Sequence, residues 1–182
     1  MAEIIKDYLN GCLEIMSNPF TDNRGQFINL YREYEDTFMK SWGKRKIVQM
    51  NLSITNKVGS IRGIHYQRQP SKEAKLVRCL RGKIWDVAVD LRKDSSQFGQ
   101  WFSAELSPTK ANALLIPEGF GHAFQILEEN SEVLYFCSDK WLPDLEEGVR
   151  WNDPTLNIKW PLDLGEISEK DANLPLIFKN NS

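Results

Sequence analysis

Lys75-Leu76-Val77-Arg78-Cys79-Leu80-Arg81-Gly82-Lys83-Ile84-Trp85-Asp86-Val87-Ala88-Val89-Asp90-Leu91 is the stretch on which the fold turns. Lys75–Leu80 is short, rich in branched residues and imperfectly alternating. Ile84–Leu91 alternates more clearly, with Ile84, Val87/Ala88, Val89 and Leu91 set against polar positions. Strands are built from such runs. Arg81-Gly82-Lys83 between them reads as a turn, and two strands across a short Gly-containing turn predict a hairpin.

Further strands follow outward from this pair. Gln100–Leu106, Ala113–Pro117 (stopped by its proline), Ala123–Leu127 and Glu132–Cys137 all have strand length, and Glu128-Glu129-Asn130-Ser131 joins the last two. Short, evenly spaced strands with Gly and Pro turns predict an antiparallel sandwich or barrel. Six tryptophans suit such sheets. Helix signals are confined to the ends. Tyr31–Trp42 has helical character with Phe38 and Met39 as its apolar side. Ser168–Asn173 reads as one helical turn capped by Ser168. The tail from Lys179 to Ser182 is expected to be disordered.

The 182 residues, 41% hydrophobic and 26% charged, fit one globular domain spanning 1–182. A formal net charge of −2 argues against a nucleic-acid partner, which calls for a basic excess, so an anionic ligand must be held by local Arg and Lys. Cys12, Cys79 and Cys137 are odd in number and widely spaced, and read as buried apolar residues in a reducing compartment. No secretory signal is seen in Met1–Asn10, and no apolar run approaches the roughly 18–20 residues that cross a bilayer. A cytoplasmic location without a membrane partner is expected.

Only two histidines occur, and both sit in dense motifs: His65 in Arg62-Gly63-Ile64-His65-Tyr66-Gln67, and His122 in Ile116-Pro117-Glu118-Gly119-Phe120-Gly121-His122-Ala123-Phe124. Histidine carries protons near neutral pH. A lone His more often only hydrogen-bonds at a strand end, but Arg62, three residues before His65, adds a cation suited to a phosphate or keto oxygen.

Several segments together resemble one family. They are Asp22-Asn23-Arg24-Gly25-Gln26-Phe27, Gln49-Met50-Asn51-Leu52-Ser53, Gly59 to Gln67, Ala74-Lys75-Leu76-Val77, Asp86 to Arg92, Ile116 to Phe124, Gly148 to Pro154, Ile158-Lys159-Trp160-Pro161 and Ile167 to Asp171. Their order and spacing are similar to the dTDP-4-dehydrorhamnose 3,5-epimerase family from about Gly11 to Leu176. The resemblance implies a mainly β, cupin-type antiparallel jelly roll with short peripheral helices. It also implies a homodimer, a nucleotide-linked 4-keto-6-deoxy sugar as substrate, no metal and no organic cofactor. The segment around Phe27 crosses between subunits in this family.

Inverting a carbon beside a ketone takes a base, a partner for the developing enolate oxygen, and an acid on the opposite face. The resemblance implies His65 as base, Asp171 as its orienter and Tyr135 as acid. Asp171 lies 171 − 65 = 106 positions from His65, so only tertiary structure can join them. Alternation puts Tyr135 on the face of Val133 and Cys137, opposite Leu134 and Phe136; composition alone would make it a core aromatic. Lys75 and His122 are candidates for enolate stabilisation and sugar binding, with His122 just after a Gly-rich turn that allows close approach. Either Asp86 or Asp90 could orient His122, and the resemblance slightly favours Asp86. Arg24, Gln49, Asn51, Arg62, Glu146 and Lys170 match family positions that hold the nucleotide sugar, where Arg forks suit a diphosphate.

Two positions depart from the family pattern. Asn29 stands where Glu is frequent, and Trp141, in Lys140-Trp141-Leu142-Pro143, stands where a Tyr usually stacks on the thymine. Both remain candidate substrate-binding residues, and a CDP- or GDP-linked sugar is an alternative. A metal cupin needs two or three His with a carboxylate, whereas this chain has two His, 122 − 65 = 57 positions apart and outside any His-x-His. A related 3- or 5-epimerase or ketoisomerase would use the same base. A non-catalytic sugar-binding jelly roll would not need base, orienter and acid together.

Overall fold

A computed structural model describes residues 1–8 and 11–177; the tail expected to be disordered lies outside them. Along the chain run β1 (Ala2–Asp7), β2 (Leu13–Ser17), β3 (Phe20–Asp22), β4 (Gly25–Phe27), α1 (Asp36–Ser41), β5 (Gln49–Thr55), β6 (Ile61–Gln67), β7 (Lys75–Arg81), β8 (Ile84–Asp90), β9 (Trp101–Leu106), β10 (Asn112–Ile116), β11 (Phe120–Ile126), β12 (Ser131–Cys137), a 3-10 turn (Pro143–Leu145), β13 (Glu146–Gly148) and α2 (Glu169–Ala172). A six-stranded sheet has the order β1-β2-β10-β7-β12-β5 and a five-stranded sheet the order β13-β6-β11-β8-β9, while β3 and β4 form a separate hairpin. All pairings are antiparallel. This is the mainly β jelly roll with short peripheral helices that the sequence led us to expect.

The central core lies between the sheets. Val77, Cys79, Leu114, Ile116 and Val133 of the larger sheet meet Ile84, Ala88, Phe102, Leu106, Phe124 and Ile126 of the smaller. Each sheet is also covered outside. Phe38 and Trp42, flanking the end of α1, pack on Leu76, Leu115 and Phe136. Val149, Leu156 and Ile158 pack on Ile64, Val87, Val89 and Ala123. With apolar neighbours on both faces, strands such as β10 and β11 are buried throughout, which explains the imperfect alternation in the sequence.

The hairpin expected from Lys75–Leu80 and Ile84–Leu91 does not form. β7 pairs with β10 and β12, and β8 with β11 and β9. Val77 and Cys79 meet Ile84 and Ala88 in one core cluster, so the two strands stack face to face and the turn at Gly82 carries the chain from sheet to sheet. Periodicity reports that both strands are buried, and cannot tell stacking from pairing.

The helix expected over Tyr31–Trp42 is shorter, Asp36–Ser41. Buried Arg78 donates from Nε to the Leu30 carbonyl at 3.1 Å, from Nη1 to Ala111 O at 3.2 Å and from Nη2 to Ser17 Oγ at 2.7 Å, which pins the chain before the helix in a non-helical path. Burial pulls the Arg78 pKa down to about 10. The buried side is Phe38 with Trp42, four residues on, and Met39 points to solvent. The Ser168 cap is as expected: its Oγ accepts from Asp171 N at 3.1 Å. All three cysteines are free and buried.

Candidate active site

His65 in β6 and His122 in β11 are register partners on adjacent strands. The strands close up at Gly63, whose φ is +111° and where a Cβ would run into the His122 carbonyl and Ala123; glycine alone tolerates both demands. His122 itself lies within the strand, two residues past its start, so the turn before it is shorter than its Gly-rich sequence suggested.

Each imidazole has its own carboxylate. His65 Nε2 lies 2.7 Å from Asp171 Oδ1, and Gly63 N donates to Asp171 Oδ2 at 3.0 Å. The Ser168-capped turn of α2 thus delivers Asp171 across the 106-residue separation. His122 Nε2 lies 2.7 Å from Asp86 Oδ1. The choice between Asp86 and Asp90 is settled by competition: Asp90 is bound by Arg92 Nε at 2.9 Å, Arg92 Nη2 at 2.6 Å and Ser95 Oγ at 2.6 Å.

The two carboxylates differ electrostatically. Burial pushes Asp171 up, but the hydrogen bonds from His65 and Gly63 and the His65 charge outweigh it, and the carboxyl sits below its ordinary value. Asp86 is fully buried, which raises its pKa against the opposing pull of His122 and Lys75, and its Oδ2 has no partner among the described residues. An ionised Asp171 accepts from Nε2 and leaves the His65 Nδ1 lone pair free for a proton. The His65 side chain is 31% exposed and that of His122 only 7%.

A cavity of about 480 Å³ is lined by Arg62, His65, Lys75, His122, Tyr135 and Asp171, with Ser53, Phe124 and Ser168 among the remaining wall. A second, of about 270 Å³, shares His65, Lys75 and Tyr135 and adds Gln49, Asn51, Glu73, Trp141 and Glu146. Together they have the size of a small-molecule site. Tyr135 shares the inner core with Val133, while Leu134 and Phe136 face the outer cluster, as alternation predicted. Burial, with the nearby Cys137 and Glu73, raises its pKa against the pull of Arg62, so it is a phenol at neutral pH.

In the second cavity, Gln49 Nε2 donates to Asn51 Oδ1 at 2.9 Å and Gln49 Oε1 accepts from Trp141 N at 3.1 Å. Glu146 accepts from Trp141 Nε1 at 3.1 Å and from Lys170 Nζ at 2.9 Å. Arg62 donates from Nε to Thr55 Oγ1 at 2.9 Å. Arg24, Asn29 and Lys170 line neither cavity, Lys170 meeting the second only through Glu146. Arg24 sits on the β3–β4 hairpin, 88% exposed and paired with Asp22 at 2.6 Å.

Several wall residues carried no site role in the sequence, Ser53, Phe124 and Glu73 among them. Ser53 shares the face of Gln49 and Asn51 by strict alternation in β5, and its buried Oγ has no partner among the described residues. Phe124 is the residue opposite Asp86 in the ladder. Glu73 precedes Lys75 by two positions, the same-face spacing of a strand. Among the described residues no three His, Cys, Asp or Glu side chains converge as a metal-ligand group, and no helix is long and apolar enough to cross a membrane.

A family model described as dTDP-4-dehydrorhamnose 3,5-epimerase matches residues 6–179. A relative of that name from Methanothermobacter thermautotrophicus is 40% identical, over 99% of this chain and 98% of its own. Among solved structures, a Bacillus anthracis dTDP-4-dehydrorhamnose 3,5-epimerase with TDP and PPi bound superposes with a TM-score of 0.91 at 35% identity, covering 97% of this chain and 100% of that one. A Legionella pneumophila dTDP-6-deoxy-D-glucose-3,5-epimerase in complex with dTDP-4-keto-L-rhamnose gives 0.89 at 34% identity, covering 97% and 93%.

Proposed function

The chain belongs to the dTDP-4-dehydrorhamnose 3,5-epimerase family and is an isomerase, and we propose that it inverts C3 and C5 of a nucleotide-linked 4-keto-6-deoxyhexose, converting dTDP-4-dehydro-6-deoxyglucose to dTDP-4-dehydrorhamnose. The observation that carries this reading is the His65–Asp171 pair, 2.7 Å apart, in the wall of a cavity that Tyr135 also lines.

In the proposed mechanism His65 Nδ1 takes the proton from a carbon next to the C4 ketone. The C–H bond pair moves into the ring and the carbonyl oxygen gains the charge. Imidazolium forms beside a carboxylate held ionised, which stabilises it. Lys75 and His122 face the growing oxyanion, where a charge in a water-poor site counts for most. Tyr135 then delivers its phenol proton to the opposite face of the carbon, and solvent resets both groups. The ketone itself acidifies the C–H bond, so the scheme calls on no metal or organic cofactor.

Gln49, Asn51, Arg62, Trp141, Glu146 and Lys170 hold the nucleotide and its diphosphate in this reading. Arg24 and Asn29 reach the site from a second copy of the chain. Supporting a homodimer are the outward apolar row Met50, Leu52 and Ile54 on edge strand β5 and the exposed Phe20 and Phe27 of the β3–β4 hairpin. The protein is proposed to work in the cytoplasm as one domain over 1–182.

A second reading, another dTDP-, CDP- or GDP-linked 4-keto sugar or inversion at one centre, is favoured by Asn29 and by Trp141 with its indole bonded to Glu146. One experiment tests both. The dTDP-, CDP- and GDP-4-keto-6-deoxy sugars are incubated with enzyme in deuterium oxide and followed by NMR. Deuterium at C3 and C5 of the dTDP sugar is the expected result. Exchange at one position, or with another nucleotide only, favours the second reading, and no exchange with any sugar refutes both.

A further inference from the structure

Glu73 is a charged cavity residue without a part in the scheme above. It lines the second cavity with Lys75, Tyr135 and Asn51, the residue opposite Tyr135 in the ladder. Its carboxylate stands 3.3 Å from Lys75 Nζ, and the two side chains are only 9% and 12% exposed. It is the only carboxylate within 4.0 Å of that ammonium among the described residues. Acids and lysines so far from water are seldom present without a partner.

The backbone that carries Glu73 is fixed on both sides. Ala74 N donates to Ser138 Oγ at 2.7 Å, and Ser138 Oγ donates to the Lys72 carbonyl at 2.7 Å. Lys72 N and Ser71 Oγ both donate to Asp139 Oδ2, at 3.1 and 3.0 Å. Ser138 and Asp139, just beyond the end of β12 and three and four residues past Tyr135, therefore bracket the residues around Glu73. Lys75 opens β7 opposite Cys137 of β12 and Ile116 of β10, and its charge is felt by Asp86 across the core. A lysine with four rotatable carbons, one acid in contact and the charge of a second felt across the core, needs something to choose its direction.

We propose that Glu73 is a positioning residue for Lys75: it takes one of the three ammonium donors and holds the other two towards the space shared by the two cavities. The proposal rests on the reading of Lys75 as the cation that meets the enolate oxygen. A fixed carboxylate spares the ammonium the search through its rotamers at the moment the charge develops, and misplacement of such a group by an ångström costs about 10²-fold in rate.

The test is a double-mutant cycle on deuterium wash-in, with wild type, Glu73→Gln, Lys75→Met and the double variant, each checked for fold by circular dichroism. Glu73→Gln keeps shape and an acceptor but no charge. It is expected to lower the maximal wash-in rate about 10²-fold while KM stays within about twofold, and to change the rate less than about twofold in the Lys75→Met background. Glu73→Asp, which restores the charge one methylene short, should recover part of the loss. A second measurement is independent of turnover: the Lys75 ammonium N–H resonance, assigned by its loss in Lys75→Met, is expected in the wild-type spectrum and absent in Glu73→Gln. The proposal is overturned if Glu73→Gln costs the same factor with and without Lys75, if it leaves wash-in within about twofold of wild type, or if the ammonium resonance survives it. Where Lys75→Met is too slow to score, the resonance decides alone. Absence of wash-in in the wild type itself would instead strike at the epimerase reading, a separate failure.

Discussion

His65 and His122 stand opposite each other in the register of β6 and β11, and each gives Nε2 to a different carboxylate at the same 2.7 Å. Equal geometry conceals unequal chemistry. Asp171 is held below its ordinary pKa and Asp86 is pushed above it. Environments that drive paired groups apart assign roles. In the proposed scheme the proton-taking role is given to His65, whose carboxylate is held ionised and whose ring is the more exposed. His122, buried beside an acid that resists ionisation, is given the supporting role at the sugar in the same proposal.

Asp171→Asn should lower epimerisation by about 10²–10⁴-fold, since a neutral amide neither fixes the tautomer nor balances imidazolium. The variant should also change acid stability. Because the folded pKa of Asp171 lies below 3.8, its contribution is complete above that pH and is lost as pH falls through the depressed value. Urea unfolding measured across this acid range should therefore show a shallower loss in Asp171→Asn than in wild type. Equal slopes would mean that Asp171 is not held ionised by its partners.

Tyr135→Phe is expected to slow net epimerisation more than the first proton exchange, because removal by His65 is intact and only the return is lost. Parallel losses would take the acid role from Tyr135. Its phenol also leaves a stability signature. The folded pKa is raised above 10.0, so stability is complete below that pH and declines as pH rises through the raised value. Tyr135→Phe should flatten this alkaline decline in thermal unfolding.

The middle of the jelly roll was legible because its strands are short, branched and separated by Gly and Pro. Their observed bounds lie within three residues of expectation. The hairpin at Gly82 was not legible, since stacking and pairing bury Val77 and Ile84 alike. β5 passed unmarked as a strand, although Gln49–Thr55 alternates perfectly, because its apolar residues face outward. At the site, nothing in the sequence apart from the family likeness ties Asp171 to His65 across 106 positions. Asp86 and Asp90 share a face by parity, and only the capture of Asp90 by Arg92 and Ser95 separates them. Glu73 was missed because a Glu two residues before a Lys is usually a solvated pair.

Trp141→Ala should weaken nucleotide-sugar binding by about 1–3 kcal/mol, the worth of one stacked base, as a higher KM with kcat little changed. Trp141→Tyr should restore most of it. If Trp141→Ala instead lowers kcat alone, the indole is not a platform for the base and its bond to Glu146 is there for another reason.

The central claim is that His65 removes the α-proton, and deuterium wash-in at C3 and C5 of the 4-keto sugar, followed by NMR for wild type and His65→Ala at matched fold by circular dichroism, measures that step alone. Wild type should exchange both positions while the well-folded variant exchanges neither above the uncatalysed rate. Exchange retained by His65→Ala would contradict the account and move the base elsewhere in the cavity.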